Sequence, residues 1–377
     1  MNKYKDIFTN NKNKFLTLSI MLILITFILI ISSNQVFALE WKKYESEHFI
    51  VFYPVNLESQ ARESIYFLEK ERPDVGKLTG NKIKGKIPII IEDRGQFTNG
   101  FADPINNKIG IFTYPPGSYS SLSGYENWFR LLNTHELTHM GHMTNTSGLS
   151  SFYRFLYGNS YSPNFHSPLW LIEGTAVYSE SQLSPHSGRL NGGYYDAVYG
   201  AKAAKGELPS LAEITYTHNH FPSGHQYLYG AKFVEYLNNE YGEDKLAKLF
   251  SKYGSYFWAP LLGDIFPGIG LDLAARKVYG SNISSLYKEW QRNAEEKNKD
   301  WEIKGEEILE TNNAYISNLT SDNNKIYYFK ADIMQSSPYE YKSINKLVEY
   351  DIIQNEEKVL EKSLANNFGT IEIKENK

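Results

Sequence analysis

Residues 135–139 read His-Glu-Leu-Thr-His, and residues 168–178 read Pro-Leu-Trp-Leu-Ile-Glu-Gly-Thr-Ala-Val-Tyr. Both stretches have the apolar spacing that is typical of helices. Positions four apart on a helix point the same way, so the imidazoles of His135 and His139 can reach one zinc ion. Glu136, about 100° further round the helix, is expected beside that ion, where its carboxylate can take a proton from water.

A catalytic zinc site usually has three protein ligands, and the sequence offers two candidates for the third. Glu173 lies among Trp, Leu, Ile and Ala on the second predicted helix, where a carboxylate is costly to bury unless a cation neutralises it. His142 shares a helical face with His135 and His139. Three imidazoles in line along a straight helix, the last about 10 Å beyond the first, cannot all approach one ion tetrahedrally. Glu173 is therefore the predicted third ligand.

Two features predict that the helix of residues 126–143 is buried and closely packed. Trp128, Leu131 and Leu132 lie one turn before the first histidine on the same side, which indicates a buried face. Gly174 costs a helix about 1 kcal/mol relative to alanine. A close approach of the second helix to the helix of the histidines would explain this glycine.

Three motifs together resemble the gluzincin metallopeptidases, and most closely the bacterial peptidase MA-like group. They are residues 135–139, residues 168–178, and residues 227–237, which read Tyr-Leu-Tyr-Gly-Ala-Lys-Phe-Val-Glu-Tyr-Leu. The resemblance covers about residues 44–300 and is most specific at the first two motifs. The interval between the second histidine and the glutamate is longer than in the thermolysin and aminopeptidase branches, which weakens a substrate analogy with either.

The resemblance implies a set of roles for individual residues. His135, His139 and Glu173 would hold one Zn²⁺ per chain, and Glu136 would be the general base. A downstream tyrosine of gluzincins commonly donates a hydrogen bond to the oxyanion of the tetrahedral intermediate. Tyr227 best matches that position, and Tyr229 is the alternative.

Two weaker patterns involve other histidines. Residues 141–145, Gly-His-Met-Thr-Asn, resemble the motif with which aminopeptidases hold a free amine, but Thr144 replaces its carboxylate and the motif follows the zinc helix. An endopeptidase is therefore favoured over an aminopeptidase. His218, His220 and His225 could form a second metal site, although loop histidines are more often solvated.

The expected fold class is α+β, a gluzincin-type peptidase with a mixed α/β N-terminal lobe and a helical C-terminal lobe. Strands are predicted at residues 47–53, 87–92 and 108–114, with the last at a sheet edge because Pro115 ends it. A helix is predicted over residues 57–72. Further helices are predicted at residues 126–143, 168–182, 193–205, 225–241, 243–253 and 282–298.

The extended substrate is expected to pair with the predicted edge strand at residues 108–114. Residues 144–167 are predicted to be a functional loop or to carry a short helix of their own.

Beyond residue 303 the chain predicts an incomplete all-β segment. Short apolar strands at residues 314–316, 325–329 and 346–353 are separated by Asn, Asp and Ser turns, enough for one four-stranded sheet. Residues 321–328 resemble the turn and strand of one TolB-like β-propeller blade, whereas a propeller needs several blades. The predicted domains are residues 1–38 as signal or anchor, 39–302 as zinc peptidase and 303–377 as this blade-like segment.

The N-terminus predicts export. Four lysines and one aspartate give residues 1–38 a charge of +3, and an apolar run follows from Phe15 to Ile31. Small residues near Ala38 suit signal cleavage, but the run approaches the ~20 residues that span a bilayer, so residues 15–33 could remain as a membrane anchor. Either outcome gives an extracytoplasmic protein, secreted or held at the outer face of the membrane.

Composition excludes several classes of function. The chain of 377 residues has no cysteine, which removes disulfides, cysteine nucleophiles and thiolate metal sites. A net charge of −4 without a basic domain argues against a nucleic-acid partner. The expected function is a zinc-dependent peptidase, with an endopeptidase favoured, acting on peptide or protein substrates. The alternative is a catalytically silent peptidase-like binding or scaffold protein at the cell surface.

Overall fold

The computed structural model describes most of the chain from residue 40 onward. The described residues are 21, 40–117, 122, 126–216, 224–263, 265–266, 268–302, 308–309, 314–337, 340–363 and 371–373. They divide into two compact units. The first contains the described residues of Met1–Pro115, Tyr125–Asn191 and Pro209–Tyr287, and the second those of Pro116–Gly124, Gly192–Leu208 and Lys288–Lys377. The predicted boundary at residues 302 and 303 stays a prediction.

Helices dominate the middle of the chain. In chain order they are α1 Glu58–Thr79, α2 Trp128–Met143, α3 Leu149–Tyr157, α4 Leu169–Ser181, α5 Gly193–Ala204, α6 Leu211–Thr215, α7 His225–Tyr241, α8 Asp244–Tyr253, α9 Pro260–Gly263, α10 Leu271–Val278 and α11 Ile283–Asn298. Short 3₁₀ turns cover Val55–Leu57, Asn159–Tyr161, Pro163–His166 and Arg189–Asn191. The mixture of helix and sheet agrees with the predicted α+β class.

The first unit contains a five-stranded sheet. Its strands are β1 Trp41–Glu45, β2 Phe49–Pro54, β3 Ile87–Glu92, β4 Gly100–Asp103 and β5 Lys108–Phe112, in the spatial order β1-β2-β3-β5-β4. β2, β3 and β5 run parallel, whereas β1 and β4 run antiparallel to their neighbours. Alternate isoleucines of β3 are fully buried, which gives the sheet one face in the core.

The prediction that residues 108–114 form the sheet edge is wrong. β5 lies between β3 and β4, and the two edge strands of the described sheet are β1 and the short strand β4. Gly110 of β5 pairs with Phe101 of β4. β5 ends at Phe112, before the two prolines, and it is not at the edge because β4 pairs antiparallel with it on its far side. β4 was not predicted, since four residues with no apolar alternation carry little strand signal.

The helix of the histidines is buried nearly all round. Every residue of α2 from Leu131 to Met143 is buried, and α1 and α4 pack against it. Asn127 caps the N-terminus of α2, and its Oδ1 accepts from the backbone N–H of Arg130 over 2.8 Å. The predicted buried face of this helix is thus confirmed.

Gly174 permits a close helix contact, but with a different partner from the one predicted. A Cβ placed on Gly174 would lie 2.4 Å from the carbonyl carbon of Gly230 in α7. A Cβ on Gly230 would in turn lie 2.6 Å from the backbone oxygen of Trp170. The paired glycines therefore bring α4 against α7 rather than against the helix of the histidines.

The described residues beyond 303 form one four-stranded antiparallel sheet. Its strands β6 Tyr315–Asp322, β7 Lys325–Ser337, β8 Glu340–Asp351 and β9 Glu356–Ser363 pair in sequence order. Tyr328, Val348 and Tyr350 form its small core. The sheet matches the predicted amount of β structure, while its likeness to a propeller blade stays a prediction.

The predicted signal or anchor at residues 1–38 lies outside the described residues, apart from Met21. Within the described part of the chain, no helix combines the length and the apolarity needed to cross a bilayer.

Candidate metal centre

Two helices bring the predicted zinc ligands together. His135 and His139 lie one turn apart on α2, and Glu173 lies on the adjacent α4. The Nε2 atoms of the two histidines are 3.5 and 3.3 Å from Oε2 of Glu173. One ligand atom from each of the three side chains falls within 4.8 Å of the others. This spacing is what three ligands around one metal ion require.

The donor set fits a zinc ion. The histidines are 6% exposed and the Glu173 side chain is 17% exposed, so the three groups face a largely dry site. Oε2 of Glu173 is buried, and no described residue donates a hydrogen bond to it. A carboxylate oxygen in that position needs a cation, and two imidazoles with one carboxylate form a common catalytic zinc set.

The charges of the ligand group favour a cation. Burial alone would lower the pKa of His135, but the carboxylates of Glu173 and Glu180 outweigh burial and raise it to about 9. Burial would raise the pKa of Glu173, but the neighbouring His139 and His135 lower it well below its usual range. A proton on the His135 imidazole thus offsets part of the carboxylate charge. A bound metal ion would replace that proton.

Glu136 lies directly beside this group. Its side chain is 4% exposed, and burial raises the pKa of its carboxyl against the opposing effect of His135 and His139. Gly100 of the edge strand β4 lies against it, since a Cβ on Gly100 would be 3.0 Å from Oε1 of Glu136. A buried carboxylate with a raised pKa is suited to general-base work.

His142 does not join the metal group. Its Nε2 lies 3.2 Å from Oγ of Ser167, and its ring stacks on Phe250 with centroids 4.0 Å apart. The side chain is fully buried, and burial lowers its pKa to about 3. His142 is a neutral core residue, which agrees with the prediction that it is not the third ligand.

The two candidate tyrosines lie on different faces of α7. The ring of Tyr227 stacks at 6.5 Å on the ring of His135, which places it beside the metal group. Tyr229 is 1% exposed and packs edge-on against His225. Of the possible second metal site, His218 and His220 lie outside the described residues.

Two residues that sequence reasoning missed support His135. The Nδ1–H of His135 donates to Oε2 of Glu180 over 2.9 Å, which leaves Nε2 facing the metal group. Glu180 is fully buried and also accepts from Nε of Arg189 over 2.8 Å. Burial would raise the pKa of Glu180, but Arg189 and His135 together lower it to about 2. Glu180 therefore stays ionised and fixes the imidazole ring.

The loop after α4 carries Arg189 back to the site. The amide of Asn191 donates to the backbone oxygens of Ser181 and Ser187, and Gly188, at φ +82°, lies directly against Ser181. The guanidinium of Arg189 then lies 4.9 Å from the ring centre of Tyr227. One arginine thus contacts both the carboxylate that supports His135 and the candidate oxyanion tyrosine.

The position of Glu180 near the site could have been predicted from the sequence, whereas that of Arg189 could not. Glu180 lies seven residues after Glu173, which is two helical turns, so both carboxylates share one face of α4. Arg189 reaches the site only because an irregular loop folds back, and no periodicity predicts such a path.

No protein-family model matches the chain, and no curated protein matches it. Among solved structures, an M1 zinc metallopeptidase from Deinococcus radiodurans is similar at 13% identity and a TM-score of 0.33, over 67% of this chain and 51% of that one. A variant of that enzyme bound to a Tyr-Ser-Ala substrate gives 14% identity and a TM-score of 0.34, with the same coverage.

An aminopeptidase N family protein from Idiomarina loihiensis gives 12% identity and a TM-score of 0.27, over 69% of this chain and 42% of that one. The chain thus spans about half the length of the solved structures it matches. These distant structural neighbours are zinc metallopeptidases and an aminopeptidase-type protein.

Proposed function

We propose that the protein is a zinc-dependent peptidase that holds one zinc ion through His135, His139 and Glu173. The observation that carries the proposal is the convergence of these three ligand atoms around a buried carboxylate oxygen to which no described residue donates. A zinc ion held there would supply Lewis acidity toward water and toward a peptide carbonyl.

Glu136 acts as the general base in this proposal. Its buried carboxylate lies beside the ligand group, where it takes a proton from the attacking water and passes it to the leaving amine. A pKa raised by burial suits both steps, because the group must accept the proton and then release it. Glu180 and Arg189 hold His135 in one tautomer and one orientation during these steps.

Tyr227 is the proposed donor to the oxyanion. Its ring lies against His135, and the cation of Arg189 above the ring holds it in place. A hydrogen bond from the phenol would stabilise the negative charge that develops on the carbonyl oxygen.

The proposed substrate path follows the edge strand β4 instead of β5. β4 passes directly beside Glu136 at Gly100, and its outer side is the edge of the described sheet. An extended peptide added to that edge by backbone hydrogen bonds would bring its carbonyl groups past the metal group.

An endopeptidase is favoured because the aminopeptidase-like residues 141–145 have structural roles. Oγ1 of Thr144 donates to the backbone oxygen of Met140 over 2.6 Å. The amide of Asn145 donates to the backbone oxygen of Thr79 over 2.7 Å, and both side chains are buried. Neither is placed to hold the free amine of a substrate.

The proposed location is outside the cytoplasm, on the strength of the N-terminal charge and apolar run. Peptides or proteins at the cell surface are then the proposed substrates. A silent binding protein is the rival function, and the intact base distinguishes the two, because binding alone gives no reason to bury a carboxylate beside the ligands.

Metal analysis and a peptide library test the proposal together. The purified protein is expected to contain about one zinc per chain, and a chelator should abolish cleavage of a mixed peptide library. Glu136→Gln should keep the zinc and lose turnover by several orders of magnitude, because proton transfer alone is removed. Cleavage by metal-free protein, or near-normal turnover by Glu136→Gln, would refute the mechanism. The cleavage positions separate an endopeptidase from an exopeptidase.

A further inference from the structure

The first unit exposes large apolar side chains on two segments away from the metal ligands. One segment is α3, and the other runs from residue 257 to residue 266 around α9. Phe155 is 83% exposed, Ile265 69% and Leu261 67%. We call the following six side chains, each at least 52% exposed, the apolar ridge: Phe152, Phe155, Leu156, Leu261, Ile265 and Phe266.

The two segments form one continuous surface. The ring of Tyr153 in α3 stacks on Phe257, with centroids 5.7 Å apart and planes at 20°. Beyond α9, the backbone N–H of Gly268 donates to the backbone oxygen of His166 over 2.7 Å. The ridge is therefore a single feature built on stacked rings.

α3 exposes its apolar side chains and directs its charged side chain inward, the reverse of a surface helix in water. Its charged residue, Arg154, points inward and donates to the backbone oxygen of Thr144 and to Oδ1 of Asn159, each over 2.6 Å. Ser150 is buried, whereas Phe152 and Phe155 point outward. A surface helix in water turns its apolar face to the core, so this orientation indicates an apolar medium or partner outside.

Charge is nearly absent from the sequence around the ridge. Residues 144–167 contain one charged side chain, Arg154, and residues 254–270 contain one, Asp264, whereas 22% of the whole chain is charged. The cation of Arg154 is occupied inside the protein. The described side chains of α3 therefore present no charge on their outward face.

We propose that the apolar ridge inserts into the interfacial layer of a lipid bilayer and docks the first unit on a membrane. Single side chains that project this far suit fluid acyl chains, which adapt to any shape, whereas a protein partner must supply matching pockets. The ring of Tyr153 stacks on Tyr157 and lies tilted against Tyr161, and these three tyrosines suit the headgroup level at the base of the ridge.

Charge at the rim agrees with a lipid surface. The exposed ammonium of Lys252 lies 5.5 Å from the ring centre of Tyr256, next to the segment that carries Leu261 and Ile265. A lysine in that position can contact anionic headgroups while the ridge enters the acyl layer.

The ridge also has a place in the site's architecture. α3 is built from residues that lengthen the interval between His139 and Glu173, so the segment that joins two zinc-ligand candidates also carries half of the ridge, Phe152, Phe155 and Leu156. Docking would hold the catalytic unit against a membrane and bias it toward peptides at that surface. The docking itself is independent of whether the unit hydrolyses peptides.

Site-specific labelling of the full chain tests the proposal, because the chain has no cysteine of its own. Phe155→Cys and Ile265→Cys each give a single thiol on the ridge. Tyr66→Cys is the matched control, since Tyr66 is an aromatic residue on α1 that is 59% exposed. Each thiol is labelled with a fluorophore. The labelled protein is mixed with vesicles of phosphatidylcholine and phosphatidylglycerol that carry nitroxide groups on their acyl chains.

The label at position 155 or 265 is expected to be quenched several-fold more strongly than the label at position 66. Residues 15–33 are the same in all three proteins, so an N-terminal anchor cannot create this difference. Quenching no stronger than at position 66 would overturn the proposal. Quenching by a nitroxide-labelled second copy, without quenching by lipid, would assign the ridge to self-association instead. Two labelling positions keep the test decisive if one substitution disturbs folding.

Discussion

Single substitutions at Glu173 and His142 distinguish the proposed zinc ligand from the core histidine. Glu173→Ala removes the carboxylate that faces both imidazoles and is expected to lose most of the bound zinc. His142→Ala is expected to retain zinc, because that ring contacts Ser167 and Phe250 rather than the ligand group. It should instead lower the free energy of unfolding by about 1–3 kcal/mol, through the buried hydrogen bond.

Metal content of the two purified variants, measured alongside their denaturant midpoints, distinguishes these outcomes. Zinc retained in Glu173→Ala and lost from His142→Ala would show that the third ligand is His142 and not Glu173.

Tyr227 and Tyr229 form a second pair that point substitutions can distinguish. Tyr227→Phe should lower kcat by an amount equal to about 2–4 kcal/mol, because the phenol is the proposed donor to the oxyanion. Zinc content should be unchanged, and KM should change little. Tyr229→Phe serves as the matched control, since Tyr229 lies in the core against His225. If steady-state kinetics show the defect in Tyr229→Phe alone, the oxyanion role moves to that residue.

Among elements, the edge strand β4 and the helix α2 meet at a glycine. A Cβ on Gly100 would lie 2.7 Å from Cδ1 of Leu132 and 3.0 Å from Oε1 of Glu136. Gly100→Ala should therefore displace the base and lower kcat roughly 10- to 100-fold, with zinc retained. Gly117→Ala is the control, because a Cβ there meets no described atom within 4 Å.

Kinetics and zinc analysis of this glycine pair test the placement of β4. Equal activity in the two variants would show that Glu136 tolerates the added methyl group and that the edge strand does not constrain it.

The second sheet provides a test on the whole molecule. An isolated four-stranded sheet leaves two edges for strand pairing, and its described core is three residues. Residues from about 303 onward should therefore be cleaved first in limited proteolysis. A chain that ends at residue 302 is expected to keep its zinc and its cooperative unfolding. Loss of folding in that shorter chain would show that the sheet belongs to the catalytic fold.

Most helices follow from local pattern, because the apolar period of 3.6 residues is written in adjacent residues. α2 was predicted over residues 126–143 and runs from Trp128 to Met143, and α4 was predicted over residues 168–182 and runs from Leu169 to Ser181. The short strand β4 and the order of the strands escaped prediction, because pairing depends on partners that are distant in the chain.

The candidate metal site likewise has features that follow from local sequence and features that depend on tertiary packing. The spacing of His135 and His139 places both imidazoles on one side of a helix before any tertiary contact forms, and the apolar surroundings of Glu173 mark it as a costly carboxylate that needs a cation. Packing of α4 against α2 decided that Glu173 reaches the two imidazoles while His142 turns to the core. The loop that returns Arg189 to Glu180, and the glycine contact that sets α7 beside α4, depend on the whole fold, because each joins segments whose sequences carry no information about one another.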